Sequence, residues 1–484
     1  MKNYIIALVI GCFLAVTLSG CQEDLIEKPK TFVSPNTFFA NADGYEQVVK
    51  GIYSTLPSLF TANGMMMREM FSDYSGSPSP SYEQALPTYQ NNHQPFFYNV
   101  RGEWANEYTI IKNANFILSY LDPATNLSAT KKKELTAEAR FLRAFAYFQL
   151  VQFFGDVPIR TTPLSDYNQA QAPRSPQADV YKLILDDLIY AEANLPEQTT
   201  QQGRVYKLVA TAQLAKVYLT MAGNPLKQTQ YFQNAREKAL AVINSGKFQL
   251  VSDYALLFHN TAYTTESIWE QLFRTEVGGN GLQALSSTAK GFIPILLPSS
   301  WFISSFAKGD QRKEWGIKQN YKGPDGATLA PFYQKFVNTT FIDAGATPSG
   351  VINGYTVPFL RLGEIYLIAA EAENEVSGPA NAYQYINRIR QRARVTKSDA
   401  TNVPDLASLS KEQFREAVYM ERKWELHEEG NAWFDLKRTG TLTKIQTIRS
   451  ADLVRPIGTY NDTWYIPDNE IQNNTIDQNP SYGK

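Results

Sequence analysis

The chain has 484 residues, 43% of them hydrophobic, which is enough for one large repeat-built domain or two to three ordinary ones and excludes a largely disordered chain. Lys and Arg (46) balance Asp and Glu (47), so there is no basic field, and nucleic acid is not expected as a partner. Charged residues make up only 19% while aromatic ones reach 13%, so uncharged polar groups and rings must cover much of the surface, a composition that suits a neutral ligand.

The first element is an apolar run from Ile5 to Leu18 behind Lys2. It is too short to span a membrane and is followed by small residues, the pattern of a signal-peptide core. The run closes on Leu18-Ser19-Gly20-Cys21, which resembles the lipobox of bacterial lipoproteins. That resemblance implies cleavage of residues 1–20, a diacylglycerol on the Cys21 sulfur, and a chain left without a free thiol or a disulfide. Several acyl chains buried in outer-membrane lipid anchor stably where one does not. The adjoining Gln22-Glu23-Asp24-Leu25-Ile26-Glu27 is similar to the surface-export signal of Bacteroidetes lipoproteins, or it is a solvated acidic linker. Residues 21–37 read as a lipidated tether and 38–484 as a single domain. No other apolar stretch approaches the ~18 residues a membrane span needs.

Asn41-Ala42-Asp43-Gly44 starts a helix carrying Val48, Val49, Ile52 and Tyr53. Asn41 and Asp43 lack the other positions of a calcium loop, so capping is the better reading. Residues 72–100 show little periodicity, hold only Asp73 and Glu83 as charges, and carry Tyr74, Tyr82, Tyr89, Phe96, Phe97 and Tyr98. A structureless loop of that length is either functional or disordered, and the rings favour function. Helical spacing resumes with Trp104, Tyr108, Ile111, Asn115, Leu118 and Leu121. Residues 133–154, closed by Gly155, carry two stripes: Leu135, Ala139, Leu142, Ala146, and Phe141, Phe145, Phe148. A helix apolar on two faces is sandwiched between neighbours. Ser175-Pro176 predicts the cap and first residue of the next helix.

Residues 204–245 read as two helices with small residues at their crossing, Ala212, Ala215, Ala235 and Ala239, and an aromatic residue near each end. This resembles a tetratricopeptide unit with an insertion around Asn224-Pro225. Residues 359–394 give a second such pair. Stacked pairs predict a mainly α fold, a tetratricopeptide-like α-α superhelix with long irregular loops and minor β structure. Between the pairs, residues 260–358 are rich in Gly, Pro and aromatic residues, with strand-like pieces at 267–273 and 333–337, and read as an excursion off the scaffold. Ser410 with Gln413 opens a last long helix as a capping box, and Gly430 closes it. The tail after Ile457 is irregular.

The chemistry of an enzyme is missing. His93, His259 and His427 are far apart and without a second His four positions on, so no zinc site is expected; no cofactor is expected, and a metal clipping the middle loops stays open. No nucleophile elbow and no phosphate-binding loop occurs. Gly279-Asn280-Gly281-x-x-Ala284 fits a dinucleotide fingerprint, but Pro294 and Pro298 interrupt the residues after it and no acidic residue stands about 20 positions on. Asp186/Asp187, Glu371/Glu373 and Glu425/Glu428/Glu429 could be paired carboxylates of a glycosidase. Each lies on a helical pattern beside basic residues, which is the pattern of ion pairs that lock helices.

Several longer runs occur in one order. Ala137-Glu138-Ala139-Arg140-Phe141-Leu142-Arg143-Ala144 continues to Phe154-Gly155-Asp156-Val157-Pro158. Arg361-Leu362-Gly363-Glu364-Ile365-Tyr366-Leu367-Ile368-Ala369-Ala370-Glu371-Ala372 precedes Ile386-Asn387-Arg388-Ile389-Arg390-Gln391-Arg392-Ala393. Then come Glu421-Arg422-x-x-Glu425-Leu426-x-x-Glu429-Gly430 and Trp433-Phe434-Asp435-Leu436-Lys437-Arg438. The tail adds Ile466-Pro467-x-x-Glu470-Ile471 and Gln478-Asn479-Pro480-x-Tyr482. Behind a lipobox, this series resembles the SusD/RagB family of Bacteroidetes outer-membrane nutrient-binding lipoproteins. The resemblance covers nearly the whole chain except 56–100 and 260–358.

The resemblance implies a binding protein without catalysis, lipid-anchored in the outer membrane and facing the exterior. It further implies a partner, a TonB-dependent transporter that the protein covers as a lid and supplies with oligosaccharides. A RagB-like oligopeptide binder and a surface scaffold or adhesin without a small ligand stay open. Arg140, Arg361, Glu364, Glu421, Arg422, Glu425 and Glu429 are expected to form buried ion pairs with no ligand role. A sugar binder needs flat rings and planar hydrogen-bonding groups. The family tends to place these on the loop after its first long helix and on the middle excursion, which here points to Asp73, Tyr74, Tyr82 and Tyr89, and to Trp301, Arg312, Trp315 and Tyr321. Trp104, Trp424 and Trp433 are assigned to the core.

Overall fold

The Asn41 side chain accepts a hydrogen bond from the Asp43 N–H (3.1 Å) and so starts α1, Ala42–Tyr53. Its residues Tyr45, Val49 and Ile52 recur on one face and are buried. This helix comes from a computed structural model that describes residues 35–69, 72–76, 94–164, 171–277, 279–291, 294–345, 353–448 and 462–480. Cys21, Tyr82 and Tyr89, and nearly all of the tether, lie outside the described residues.

Residues 56–69 are mainly helical, and the loop expected over 72–100 gives way to helix at Gln94. A single 3-10 turn, Leu56–Phe60, leads into α2, Ala62–Glu69, which buries Met65, Met66 and Met67. The long helices α3, Gln94–Leu121, and α4, Ala129–Phe154, come next. Ser128 caps α4 by accepting from the Lys131 N–H (3.1 Å), and Gly155, at φ 72°, ends it. From Phe141 to Phe154 every residue of α4 is buried, because α3 covers one side and α5, Gln177–Asn194, the other. The two apolar stripes predict this arrangement.

Ser175 does not cap α5. It is extended, its N–H bonded to the Val157 carbonyl (3.0 Å), and Pro176 takes the cap position. Asp156, from the far side of the connection, accepts from the Gln177 N–H (2.9 Å) instead. The predicted pair at 204–245 is α6, Lys207–Ala222, and α7, Tyr231–Asn244, with Ala212, Ala215, Ala235 and Ala239 buried at the crossing and Tyr218 stacked on Tyr231 at 5.2 Å. From α3 to α7 each helix packs on the next in chain order.

The excursion leaves after α7. Its strands are short: β1 (Ser75–Gly76) from the earlier loop, then β2 (Ser267–Gln271), β3 (Leu297–Pro298), β4 (Ile317–Lys318), β5 (Phe332–Tyr333) and β6 (Val357–Arg361). They pair antiparallel as β1–β3, β2–β6 and β4–β5. The strand expected at 333–337 is cut to two residues, because the Gln334 N–H turns to the Gly316 carbonyl (2.8 Å) and the Lys335 side chain turns into the core. Ser299 caps α8, Ser300–Ser305, directly after β3. The β2–β6 pair draws the two ends of the excursion together, and β6 runs straight into α9, Leu362–Ser377.

The chain therefore returns beside the point it left, since α9 packs on both α7 and α6. α10, Tyr383–Ala393, and α11, Lys411–Leu426, pack on α9 in turn. The capping box at Ser410 and Gln413 forms as predicted. The turn after α11 contains Gly430 at φ 78°, where a Cβ would meet Arg68 Cδ at 2.9 Å. α12, Ala432–Arg438, and α13, Asp468–Asn474, complete the fold, which is mainly α with minor β structure.

Candidate ligand-binding face

Where the excursion meets the scaffold, charged side chains are buried together. Arg312 pairs with Asp310 (2.6 Å), Glu421 (2.6 Å) and Glu425 (3.4 Å). Arg361 pairs with Glu266 (2.9 Å), Glu425 (2.6 Å) and Glu429 (2.6 Å). Arg392 reaches Glu266 (3.1 Å) and Glu425, Arg390 reaches Glu421 (2.7 Å), and Lys335 reaches Glu429 (2.7 Å). Five cations thus meet five anions, and none of these side chains is more than 10% exposed. Burial alone would push the Glu425 carboxyl up, but the guanidinium groups of Arg392, Arg361 and Arg312 outweigh it and hold the group well below the usual carboxylate range. Burial brings Lys335 down to about 8 despite Glu429, and its ammonium also donates to the carbonyls of Glu425 (3.0 Å) and His427 (2.6 Å).

This network absorbs Arg361, Glu421, Glu425 and Glu429, as the motifs predict. It also absorbs Arg312, which sequence reasoning placed among the ligand-facing residues. Arg312 is fully buried and its nitrogens are spent on three carboxylates, so it positions the excursion and does not face solvent. Glu364 and Arg422 pair at 3.5 Å, and Arg422 reaches Asp435 at 2.8 Å. Arg140 stays about a third exposed, 3.9 Å from Asp187, while Arg143 holds Asp187 with two hydrogen bonds. Both members of the candidate pair Glu371/Glu373 are taken by ion pairs, Glu371 with Arg438 and Glu373 with Arg236.

Above the network the β1–β3 pairing brings the loop at 73–76 beside α8. Tyr74 is buried, stacks on Phe302 at 4.8 Å, and donates its hydroxyl hydrogen to Glu69. Glu69 also accepts the N–H groups of Gly430 (2.6 Å) and Asn431 (3.2 Å), and burial pushes its carboxyl up to about 7. Asp73, 1% exposed, accepts from the Lys423 ammonium through Oδ2, while its Oδ1 has no partner among the described residues. The Lys423 ammonium lies 5.8 Å from the centre of the Trp301 ring. One residue of α11 therefore joins Asp73, Tyr74's neighbour, to Trp301, whose ring is half-buried. Trp424 next to it is half-buried too, with its indole N–H on Ser305 Oγ (3.0 Å), so it is a support of α8 and not a fully enclosed core residue. Trp104 and Trp433 are core residues as expected. The hollow beside Asp73, Tyr74 and Lys423 measures about 20 Å³, room for one water, so a larger ligand would lie across this face and not inside it.

The other two candidates stand in separate clusters. Trp315, half-buried, lies parallel to Phe258 (6.1 Å) and edge-on to His259 (5.0 Å). His259 stacks on Tyr355 at 4.6 Å, and burial lowers its basicity. His259 and Tyr355 were missed in the sequence, where nothing local links them. Tyr321 donates to Asp343 (2.5 Å) and sets its ring edge-on against Phe332 at 5.8 Å. Among the described residues, no group of His, Cys, Asp and Glu could hold a metal ion, and no helix is long and apolar enough to cross a membrane.

A helical-pair scaffold that clamps a ring-bearing excursion by buried charge has the build of a binding module. Residues 190–482 match the model of the SusD family, and residues 40–219 match a family described as starch-binding associating with outer membrane. The chain belongs to the SusD family. It is 28% identical to SusD-like protein P25 of Formosa agariphila over 90% of each chain. It matches the structure of a SusD homolog from Bacteroides thetaiotaomicron at 25% identity and a TM-score of 0.76, over 93% of this chain and 99% of that one. Surface glycan-binding protein A from the same organism, in complex with laminarihexaose, shares the fold at 19% identity and a TM-score of 0.73, over 90% of this chain and 99% of that one.

Proposed function

We propose that this protein is a cell-surface lipoprotein that binds oligosaccharides and passes them, without cutting them, to a TonB-dependent outer-membrane transporter. The observation that carries the reading is the match of residues 40–219 to a family described as starch-binding and associated with the outer membrane. Three features of the chain support it. The lipobox ending at Cys21 offers an anchor, and residues 21–37 a tether to a single domain over 38–484. Trp301 presents a half-open ring beside a carboxylate and an ammonium, which suits the apolar face and the hydroxyls of a sugar. Trp315 and Tyr321 offer further rings on the same excursion, and Tyr82 and Tyr89, proposed from the sequence, lie outside the described residues. The low charge of the chain favours sugar over peptide. The laminarihexaose of the structural neighbour belongs to that protein, and the sugar taken by this chain is a matter for titration.

The test is isothermal titration of the detergent-solubilised full-length protein against neutral and acidic glycans and against oligopeptides. Heat with a glycan that Trp301→Ala removes supports the proposal. Heat with peptides alone moves the protein to an oligopeptide carrier. No heat with either class leaves a scaffold or adhesin.

A further inference from the structure

A hollow far roomier than the one beside Asp73 lies away from the ring-bearing face. A cavity of about 430 Å³ opens between α3, the connection 158–164 that comes after α4, and α13. Its size falls in the range of small-molecule sites, whereas the hollows beside Asp73 and below Gly430 measure about 20 and 30 Å³. None of its lining residues comes from the excursion, from the loop at 73–76 or from α8, so it is independent of the face proposed for oligosaccharides.

One wall is apolar. Tyr108 is held by its hydroxyl on the Pro158 carbonyl (2.7 Å), and Pro163 and Leu164 continue the wall. Leu164 is 52% exposed, a large side chain that the described residues leave open. The other side is polar. Glu470 is engaged: it accepts from the Asn469 amide (2.7 Å) and from the Trp104 indole, and burial raises its carboxyl pKa. The Arg160 guanidinium faces the Asn474 side chain (3.5 Å). Lys112 is exposed and has no carboxylate partner among the described residues, and the Thr162 hydroxyl and the Asn473 amide are exposed and free of hydrogen bonds to described residues. The cavity therefore offers one uncompensated cation, one hydroxyl, one amide and a flat apolar wall. A carboxylate would give the exposed ammonium a charged partner that a neutral sugar lacks, and an apolar guest would use none of the three polar groups.

We propose that this cavity binds a small hydroxylated carboxylic acid of monosaccharide size, a sugar acid, with its carboxylate on Lys112, its hydroxyls on Asn473 and Thr162, and its C–H face on Tyr108 and Leu164. The experiment is calorimetric titration of the full-length protein with glucuronate, galacturonate and glucose as separate probes, repeated on three variants. The expected result is binding of a uronate at least about ten-fold tighter than glucose. Lys112→Glu, at an exposed position, weakens it by about ten-fold or more. Ala105→Trp, which fills the cavity from an exposed position on α3, abolishes it, and Trp301→Ala leaves it unchanged. Absence of uronate binding, equal binding of glucose, or an unaffected Lys112→Glu variant overturns the proposal. So does a loss caused by Trp301→Ala, which would assign the uronate to the ring-bearing face, and so does a crystal structure in which residues 165–170 of the chain itself fill the cavity. If Ala105→Trp fails to fold, Lys112→Glu alone decides.

Discussion

The seam between scaffold and excursion and the face above it are made of opposite materials. At the seam, Arg312, Arg361, Arg390, Arg392 and Lys335 are enclosed with Asp310, Glu266, Glu421, Glu425 and Glu429. On the face, Trp301, Trp315 and Tyr321 stand half-open on apolar supports such as Phe302, Phe258 and Phe332. Each seam residue is answered by an opposite charge, all but Asp310 by one on another element, so changing one alone unbalances a buried set of charges. A ring on the face can be exchanged at the cost of its own packing. The arrangement separates what holds the excursion from what the excursion presents.

The sharpest way to break that contrast is Glu425→Leu. It removes the carboxylate shared by Arg312, Arg361 and Arg392 and leaves five buried cations with four anions. Breaking a buried pair in this way costs about 3–5 kcal/mol. Urea unfolding monitored by circular dichroism should show the midpoint fall accordingly, and a loss below about 1 kcal/mol would mean that the seam does not hold the excursion. Trp301→Ala should do the reverse. Losing one ring's contact with ligand costs about 1.5–3 kcal/mol of binding, roughly ten- to hundred-fold in Kd, with a stability loss smaller than that of Glu425→Leu. A glycan that binds this variant as before would remove Trp301 from the face.

The pH dependence separates the two kinds of buried acid. Glu425 is held low by its guanidinium partners, so its contribution is present above the ordinary carboxylate range and is lost only in strong acid. Among the described residues Glu428 has no such partner. It accepts the Ser286 hydroxyl, burial raises its carboxyl to about 8, Lys335 pulls it down and Glu69 pushes it up. A raised carboxyl stabilises the fold in its protonated form. That contribution is complete below the unfolded value near 4.5 and is lost as the pH rises through about 8. Glu428→Gln cannot ionise, so its stability relative to the parent should climb by about 1–3 kcal/mol between pH 5 and pH 8. Thermal melts at both pH values check this, and a difference that does not move with pH would place an unseen cation beside Glu428.

The scaffold was legible because its signals are local. Asn41 and Ser410 with Gln413 cap the helices their neighbours form, and the stripes of α4 announce that both its faces are covered. Where the partner is distant, legibility ends. The cap of α5 comes from Asp156, 21 residues away, so Ser175 was the wrong candidate. Arg312 reads as a planar donor on a variable loop, but its partners Glu421 and Glu425 lie 109 and 113 residues on, and only the folded chain shows them. Asp73 is joined to Lys423 across 350 residues, so its burial could not be anticipated. Trp301 was singled out through the family resemblance, as a ring on the middle excursion, and the structure leaves it half-open beside Lys423.

The smallest effect is expected at Tyr321. Its hydroxyl donates to Asp343, an exposed contact, while its ring rests on Phe332. Tyr321→Phe removes the hydroxyl and keeps the ring, so the unfolding free energy should stay within about 0.5 kcal/mol of the parent. Tyr321 and Trp301 are supported by different clusters, around Phe332 and Phe302, so a ligand centred on Trp301 should bind this variant within about two-fold. A larger loss would show that the Tyr321 hydroxyl donates to the ligand in place of Asp343. The face would then extend from α8 across the β4–β5 pair, and the glycan it takes would have to be long enough to bridge two clusters that the seam holds independently.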